Sequence, residues 1–272
     1  MPQRASANAP VRPERYTEEY FRTCCGGQAG SDYQRFIASG GSAIPDRLEI
    51  PIRLAGDLTG QCVLDVGTGR GEVAAVARAR GAWSAGCDYA GASLAIARET
   101  LRAVSGSSGA LSRNDVKRLP FRTGSFDAVF LLDVAEHLHP WELRQCLAEA
   151  SRVLRPGGRL IIHTNPNKWY RVGLNLLRYR QALRDGVFPR PLWRRFEEDE
   201  MTRAVHVNHQ SVWSLWNGLR LAGLRPRVWA QPLDQASLDE PMTPLHFVRR
   251  RLLSWWVYLE LFAVGTKPGK RP

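Results

Sequence analysis

The sequence predicts a doubly wound α/β domain built on a mostly parallel sheet, and three observations carry that prediction. A short run rich in β-formers, residues 61–66, ends in the glycine-punctuated stretch Gly67, Gly69 and Gly71, and an alanine-rich helical segment, Glu72 to Arg80, follows at once. Strand-like and helix-like segments then alternate through to Thr164. Composition is that of an ordinary globular chain: 272 residues, 44% hydrophobic and 24% charged, long enough to bury one elaborated domain.

The elements read in order as follows. After the first strand, glycine loop and helix come a strand over Ala82 to Asp88, a helix over Ser93 to Val104 and a strand over Phe126 to Leu132. A helix over Trp141 to Leu154 is stopped by Pro156, Gly157 and Gly158, and a strand over Arg159 to Thr164 follows. Alternation of this kind implies parallel strands with helices on both faces. It breaks after Asn165, where a basic, aromatic insertion runs to about Val205, and resumes with a helix over Ser211 to Ala222 and a strand over Arg225 to Ala230. A last apolar segment, Val257 to Thr266, is expected to complete the sheet. The chain thus divides into an N-terminal tail and helical cap (1–45), a ligand-binding core (46–166), the insertion (167–205) and a C-terminal completion of the sheet (206–272).

Five cysteines, Cys24, Cys25, Cys62, Cys87 and Cys146, show neither CxxC spacing nor a Cys/His cluster of the metal-site kind, so no metal and a reduced, cytoplasmic setting are expected. The polar N-terminus has no apolar signal-like core. The apolar stretch Leu252 to Val264 is too short to span a bilayer and contains Glu260. Net charge is +12, which points to an anionic partner or to a solvated basic face. The excess is concentrated in Lys168, Arg171, Arg178, Arg180, Arg184, Arg190, Arg194, Arg195 and Arg203, with a second group at Arg249, Arg250 and Arg251. Beside these, Trp169, Val172, Leu176 and Tyr179, and again Leu245, Val248, Leu252 and Trp255, fall at helical spacing. Such helices either rest on an anionic membrane surface or pack on the sheet as a roof over a pocket.

The glycine loop alone would suit many ligands. A dinucleotide fingerprint requires a small residue at position 72, where a pyrophosphate meets the helix N-terminus. Glu72 stands there instead, and Asp65 precedes the loop, so two carboxylates favour a ligand that carries positive charge. Asp88, closing the second strand, either accepts hydrogen bonds from ribose hydroxyls or caps a turn.

Five stretches in order, Val63–Gly71, Gly86–Tyr89, Asn114–Val116, Ser125–Leu138 and Leu154–Leu160, resemble the successive motifs of class I S-adenosylmethionine-dependent methyltransferases, over roughly residues 45 to 266. The resemblance implies a Rossmann-like, mostly parallel seven-stranded sheet and S-adenosylmethionine as cofactor. It assigns Asp65, Gly67, Thr68, Gly69 and Gly71 to the methionine and sulfonium end of the donor, and Asp88 to its ribose. Tyr89, Asn114, Asp115 and Val116 fall to the adenine, with Leu132 and Asp133 beside the reacting methyl. Thr68 stands where the family loop more often has Cys or Ser.

Methyl transfer is an in-line displacement at a carbon already activated by sulfonium, so a base is needed only for a hydroxyl or a protonated amine. The candidates are Asp133, His137, His163 and His206, with His206 placed first; His163, inside an apolar strand, reads more readily as a core histidine than as a base. Glu136 and His137 follow the fourth strand, as either a catalytic or a helix-start pair. The N-terminal Tyr16 to Phe21 segment and the late His206, Val207 and Asn208 are similar to methyltransferases of bacterial glycan assembly, which implies a sugar or other small hydroxyl acceptor in glycan or glycolipid biosynthesis. Nucleic acid, RNA above all, and natural products are the alternative acceptors. Charge favours RNA, but the chain has no Asn-Pro-Pro-Tyr-like motif for a flipped base, since Asn165, Pro166 and Asn167 lack its aromatic residue.

Overall fold

The computed structural model describes residues 9–24, 29–170, 204–233 and 258–269. Within them run α1 (Ala29–Ala38), α2 (Asp46–Ala55), β1 (Cys62–Val66), α3 (Glu72–Ala79), β2 (Trp83–Asp88), α4 (Gly91–Ser105) and β3 (Ala110–Arg113). Then follow β4 (Phe126–Leu132), α5 (Pro140–Val153), β5 (Leu154–Thr164), α6 (Val212–Leu221), β6 (Arg225–Gln231) and β7 (Glu260–Thr266). The seven strands form one sheet in the order β3-β2-β1-β4-β5-β7-β6. The first five pair in parallel, and β7 lies antiparallel to both β5 and β6.

The sheet is buried on both faces because alternate strand residues point oppositely. Leu64, Val66, Val129, Leu131, Leu160 and Ile162 face α5 and α6, where they meet Leu143, Leu147, Leu215 and Leu219. Val63, Ala128, Phe130 and Ile161 point the other way, onto Phe36, Leu48, Ile52, Val73, Val76 and Ile96 of α1 to α4. Nearly continuous apolar runs in β1, β4 and β5 are the sequence signature of strands covered in this way.

Three expectations need correction. Residues Ala110–Arg113 form an edge strand outside the elements read from the sequence, because three half-exposed residues and an exposed arginine carry no apolar run. Pro156, Gly157 and Gly158 do not separate a helix from a strand: β5 starts at Leu154, and its pairing with β4 shifts between Phe126 and Ala128. Gly157 takes φ +83° in this irregular stretch, where its N–H donates to the Lys267 carbonyl (2.9 Å), so the glycines shape a bulge that the strand runs through. The last strand begins at Glu260 rather than Val257 and runs antiparallel.

Most of the insertion lies outside the described residues, as do the Arg249 to Arg251 group and the proposed membrane-facing series at Val172, Leu176 and Tyr179 and from Leu245 to Trp255. Among the described residues, no helix is long and apolar enough to cross a membrane.

Candidate functional site

Strand order reverses between β1 and β4, and in such sheets a crevice opens beyond the carboxyl ends of the strands at that point. Here it is a cavity of about 640 Å³. One wall is the glycine loop after β1. Gly67 has φ +70°, and a Cβ there would lie 2.4 Å from Val134 Cγ2. Gly71 has φ +78°, and its missing Cβ would lie 2.8 Å from the Cβ and 2.9 Å from the Cα of Ala97, so glycine lets α3 pack directly on α4. Thr68 Oγ1 donates to Asp65 Oδ2 at 2.6 Å, fixing the carboxylate under the loop.

Asp65, Thr68, Gly69, Asp88, Tyr89 and Asp115 line this side of the cavity, with Val116 and Leu132. Asn114 is absent from its walls; its N–H donates to the Asp88 carbonyl at 3.0 Å and holds β3 to β2. Asp88 holds the turn and also faces the cavity. Its Oδ2 accepts from Gly69 N–H (3.1 Å) and its Oδ1 from Ala90 N–H (2.9 Å), and the same carboxylate faces the cavity. Burial pushes its pKa up, and burial, with the nearby Asp88 and Glu72 charges, pushes Asp65 up to about 7. A carboxylate strained in this way is stabilised by a cationic ligand.

Glu72 does not play the part the sequence suggested. Its Oε2 accepts from Arg70 Nε (3.1 Å) and Arg47 Nη2 (2.9 Å), and its Oε1 from Arg70 Nη2 (3.1 Å). Its charge is therefore compensated, and the preference for a cationic ligand falls to Asp65 and Asp88. The sequence carried no signal for Arg47, which comes from α2 and whose Nη1 also donates to Asp133 Oδ2 at 3.0 Å.

The opposite wall is aromatic and apolar. The N-terminal segment crosses the cavity with Tyr16, Tyr20 and Phe21, tied down where His139 Nε2 meets the Ala9 carbonyl (2.9 Å) and Tyr89 Oη donates to the Val11 carbonyl (3.3 Å). Leu48, Val134 and His137 complete this end.

The histidines sort themselves by contact. His163 is fully enclosed, with Nδ1 on Asp133 Oδ1 (2.6 Å) and Nε2 on Glu260 Oε2 (2.9 Å). Burial works against its charge, but the two carboxylates outweigh it and raise the pKa to about 10, so His163 is an imidazolium within the core. Burial likewise opposes the Asp133 charge, and His163 and Arg47 hold that carboxyl well below the ordinary range. Burial and the neighbouring His206 push His137 down to about 3. The His137 Nδ1 lies 3.2 Å from the Val205 carbonyl, and its ring centre is 4.8 Å from that of His206. His206 stands behind His137, outside the cavity wall. Glu136, buried beneath them and next to the Asp133 charge, is pushed up to about 8.

Comparison with known proteins agrees with this architecture. The family described as "Methyltransferase domain" matches residues 64–162. Demethylmenaquinone methyltransferase of Thermus thermophilus is 39% identical over 102 residues, 37% of this chain and 45% of the relative. The match spans less than half the length of each of the curated relatives at the head of the comparison. A methyltransferase chain solved with the Trm112 methyltransferase activator of Haloferax volcanii superimposes with TM-score 0.59 at 18% identity, covering 95% of this chain and 99% of that one. Magnesium protoporphyrin IX methyltransferase of Synechocystis, solved with bound SAH, gives TM-score 0.51 at 18% identity, with 93% of both chains covered.

Proposed function

We propose that this chain, which matches the methyltransferase domain family over residues 64–162, transfers the methyl group of S-adenosylmethionine to a hydroxyl of a small acceptor held against the N-terminal aromatic segment. The observation that carries the proposal is the cavity's two-sided character: buried acids and an open glycine loop at one end, aromatic and apolar side chains with a histidine at the other.

The donor's sulfonium and ammonium charges fit Asp65, which is buried near Asp88 and Glu72 and has no cation among its hydrogen-bond partners in the described residues. The glycine loop from Gly67 to Gly71 would hold the methionine end, Asp88 the ribose, and Tyr89, Asp115 and Val116 the adenine. The donor supplies a methyl group made electrophilic by its positive sulfur. The protein's part is to orient the two reactants and to keep water out.

Asp133 and Arg47 fix that end of the cavity as a charge pair. A carboxylate held ionised by two cationic neighbours is a poor proton acceptor, so Asp133 serves to position its surroundings. His137, which burial keeps neutral, meets the cavity where it would accept a hydrogen bond from the acceptor hydroxyl, and we assign passage of the proton onward to His206, whose ring stands against it.

The glycan hydroxyl expected from the sequence gains no support from these relatives: demethylmenaquinone methyltransferase names another acceptor, and the O-methyltransferase of Pyrenophora dematioidea names none. Sugars and hydroxyarenes are therefore the two arms of the test: purified protein, labelled donor and each acceptor class, read by methyl incorporation. Calorimetry with S-adenosylmethionine, its demethylated product, NAD and NADP tests the donor side first, and tight nicotinamide binding alone would refute the reading. The net charge of +12 supports RNA as a second acceptor, which salt-dependent retention on RNA would reveal.

A further inference from the structure

Glu136 and His137 sit in a single helical turn after β4, far in sequence from His206, yet the chain binds the two segments together. The N–H groups of Val207 and Asn208 both donate to the Glu136 carbonyl, at 2.9 and 3.1 Å. One ligating atom from each of Glu136, His137 and His206 then falls within 4.8 Å of the others.

We infer that Glu136, His137 and His206 form a site for a divalent transition-metal cation, placed where His137 reaches the cavity wall. Two imidazoles and one carboxylate are a donor set that suits zinc, manganese or iron. Atoms bound to zinc at about 2.0–2.2 Å lie roughly 3.5 Å apart in a tetrahedral set, so closing this cluster needs a contraction of about 1 Å, within the reach of side-chain rotation.

The surroundings match those of metal ligands. His137 Nδ1 is engaged by the Val205 carbonyl, which fixes the ring and leaves Nε2 as its donor atom. Thr164 Oγ1 donates to Glu136 Oε2 at 2.7 Å, orienting a carboxylate that is 2% exposed. Asp133, also close in sequence, is excluded because its oxygens are taken by His163 and Arg47. Three protein ligands leave an open coordination position. On the methyl-transfer reading given above, the acceptor hydroxyl would approach that position past His137 and lose its proton more easily, with His137 and His206 then acting as ligands in place of proton acceptors; the cation site itself does not depend on that reading.

The test uses the full chain after treatment with a chelator, titrated with Zn²⁺, Mn²⁺ and Mg²⁺ by calorimetry, with Co²⁺ absorption in the visible as a report on the ligand set. One equivalent of Zn²⁺ or Mn²⁺ is expected to bind. Glu136→Gln and His206→Ala should each weaken binding at least 10-fold while keeping donor affinity and far-ultraviolet circular dichroism. Wild-type protein that binds none of these ions, or variants that bind as tightly as wild type, would overturn the site. Methyl transfer by a fully chelated, metal-free protein would likewise defeat the metal's role and leave the enzymatic reading standing. Metal binding without any donor binding would do the reverse.

Discussion

Asp133 and His163 join the ends of β4 and β5 twice: Asp133 N–H donates to the His163 carbonyl (3.0 Å), and His163 Nδ1 meets Asp133 Oδ1 (2.6 Å). Asp133 adopts φ +55°, the one positive value among the described non-glycine residues, so its side chain turns back onto its neighbour strand. The contact is the middle of a chain of alternating charge, Glu260, His163, Asp133, Arg47, Glu72 and Arg70, that crosses from β7 to the glycine loop. Removing one member strands the next.

His163→Leu is expected to destabilise the protein by about 3 to 5 kcal/mol, because Asp133 and Glu260 would lose the cation between them while staying buried. Urea unfolding of wild type and variant measures this. A difference under about 1 kcal/mol would mean that water reaches both carboxylates.

The same network sets a pH window. The depressed Asp133 pKa contributes stability that is full above its unfolded value of about 4 and is lost as pH falls. The raised His163 pKa contributes stability that is full below about 6.5 and is lost as pH climbs toward about 10. Asp65 and Glu136, raised to about 7 and 8, also lose stability with rising pH, but lower in the range. Between about pH 8 and 10 the thermal midpoint of wild type should therefore fall more steeply than that of His163→Gln. Parallel slopes would remove the imidazolium from the account.

Gly71→Ala should cost about 1 to 3 kcal/mol, since the left-handed conformation disfavours a Cβ that would also press on the Ala97 backbone. Circular-dichroism melts measure it. Gly124→Ala, also at positive φ but with open space around it, should cost less.

Asp88→Ala is expected to lower affinity for S-adenosylmethionine by roughly 10- to 100-fold, through lost bonds to the donor and through the release of Gly69 N–H, which shapes the loop. Calorimetry on Asp88→Ala and Asp88→Asn separates the two, because Asn keeps one acceptor for the loop. Unchanged affinity in both variants would reduce Asp88 to a turn residue.

His206→Ala should leave donor binding intact and lower kcat by roughly 10²- to 10⁴-fold, as expected for a group that helps remove the acceptor proton. Steady-state kinetics with the acceptor found by the incorporation assay would show it. A rise in KM alone would make His206 part of the pocket lining.

The sequence by itself determined the parallel core and the place of the glycine loop, because their signals are local: apolar runs for β1, β4 and β5, and glycines set between a strand and a helix. Short β3 leaves no signal in the sequence since three half-exposed residues and an exposed arginine form no apolar run, and the bulged start of β5 reads as a break because proline and glycine usually are one. Glu72 looked like a bare charge until folding brought Arg47, 25 residues away, onto it. His163 was legible as a core residue but not as a cation, since that depends on Glu260, 97 residues on. Ionisation follows from burial and from the charges within a few ångströms, and neighbours of that kind are chosen by the packing of distant segments. Tertiary structure alone therefore decided which carboxylates are already paired, which histidine meets the cavity, and that Glu136, His137 and His206 converge.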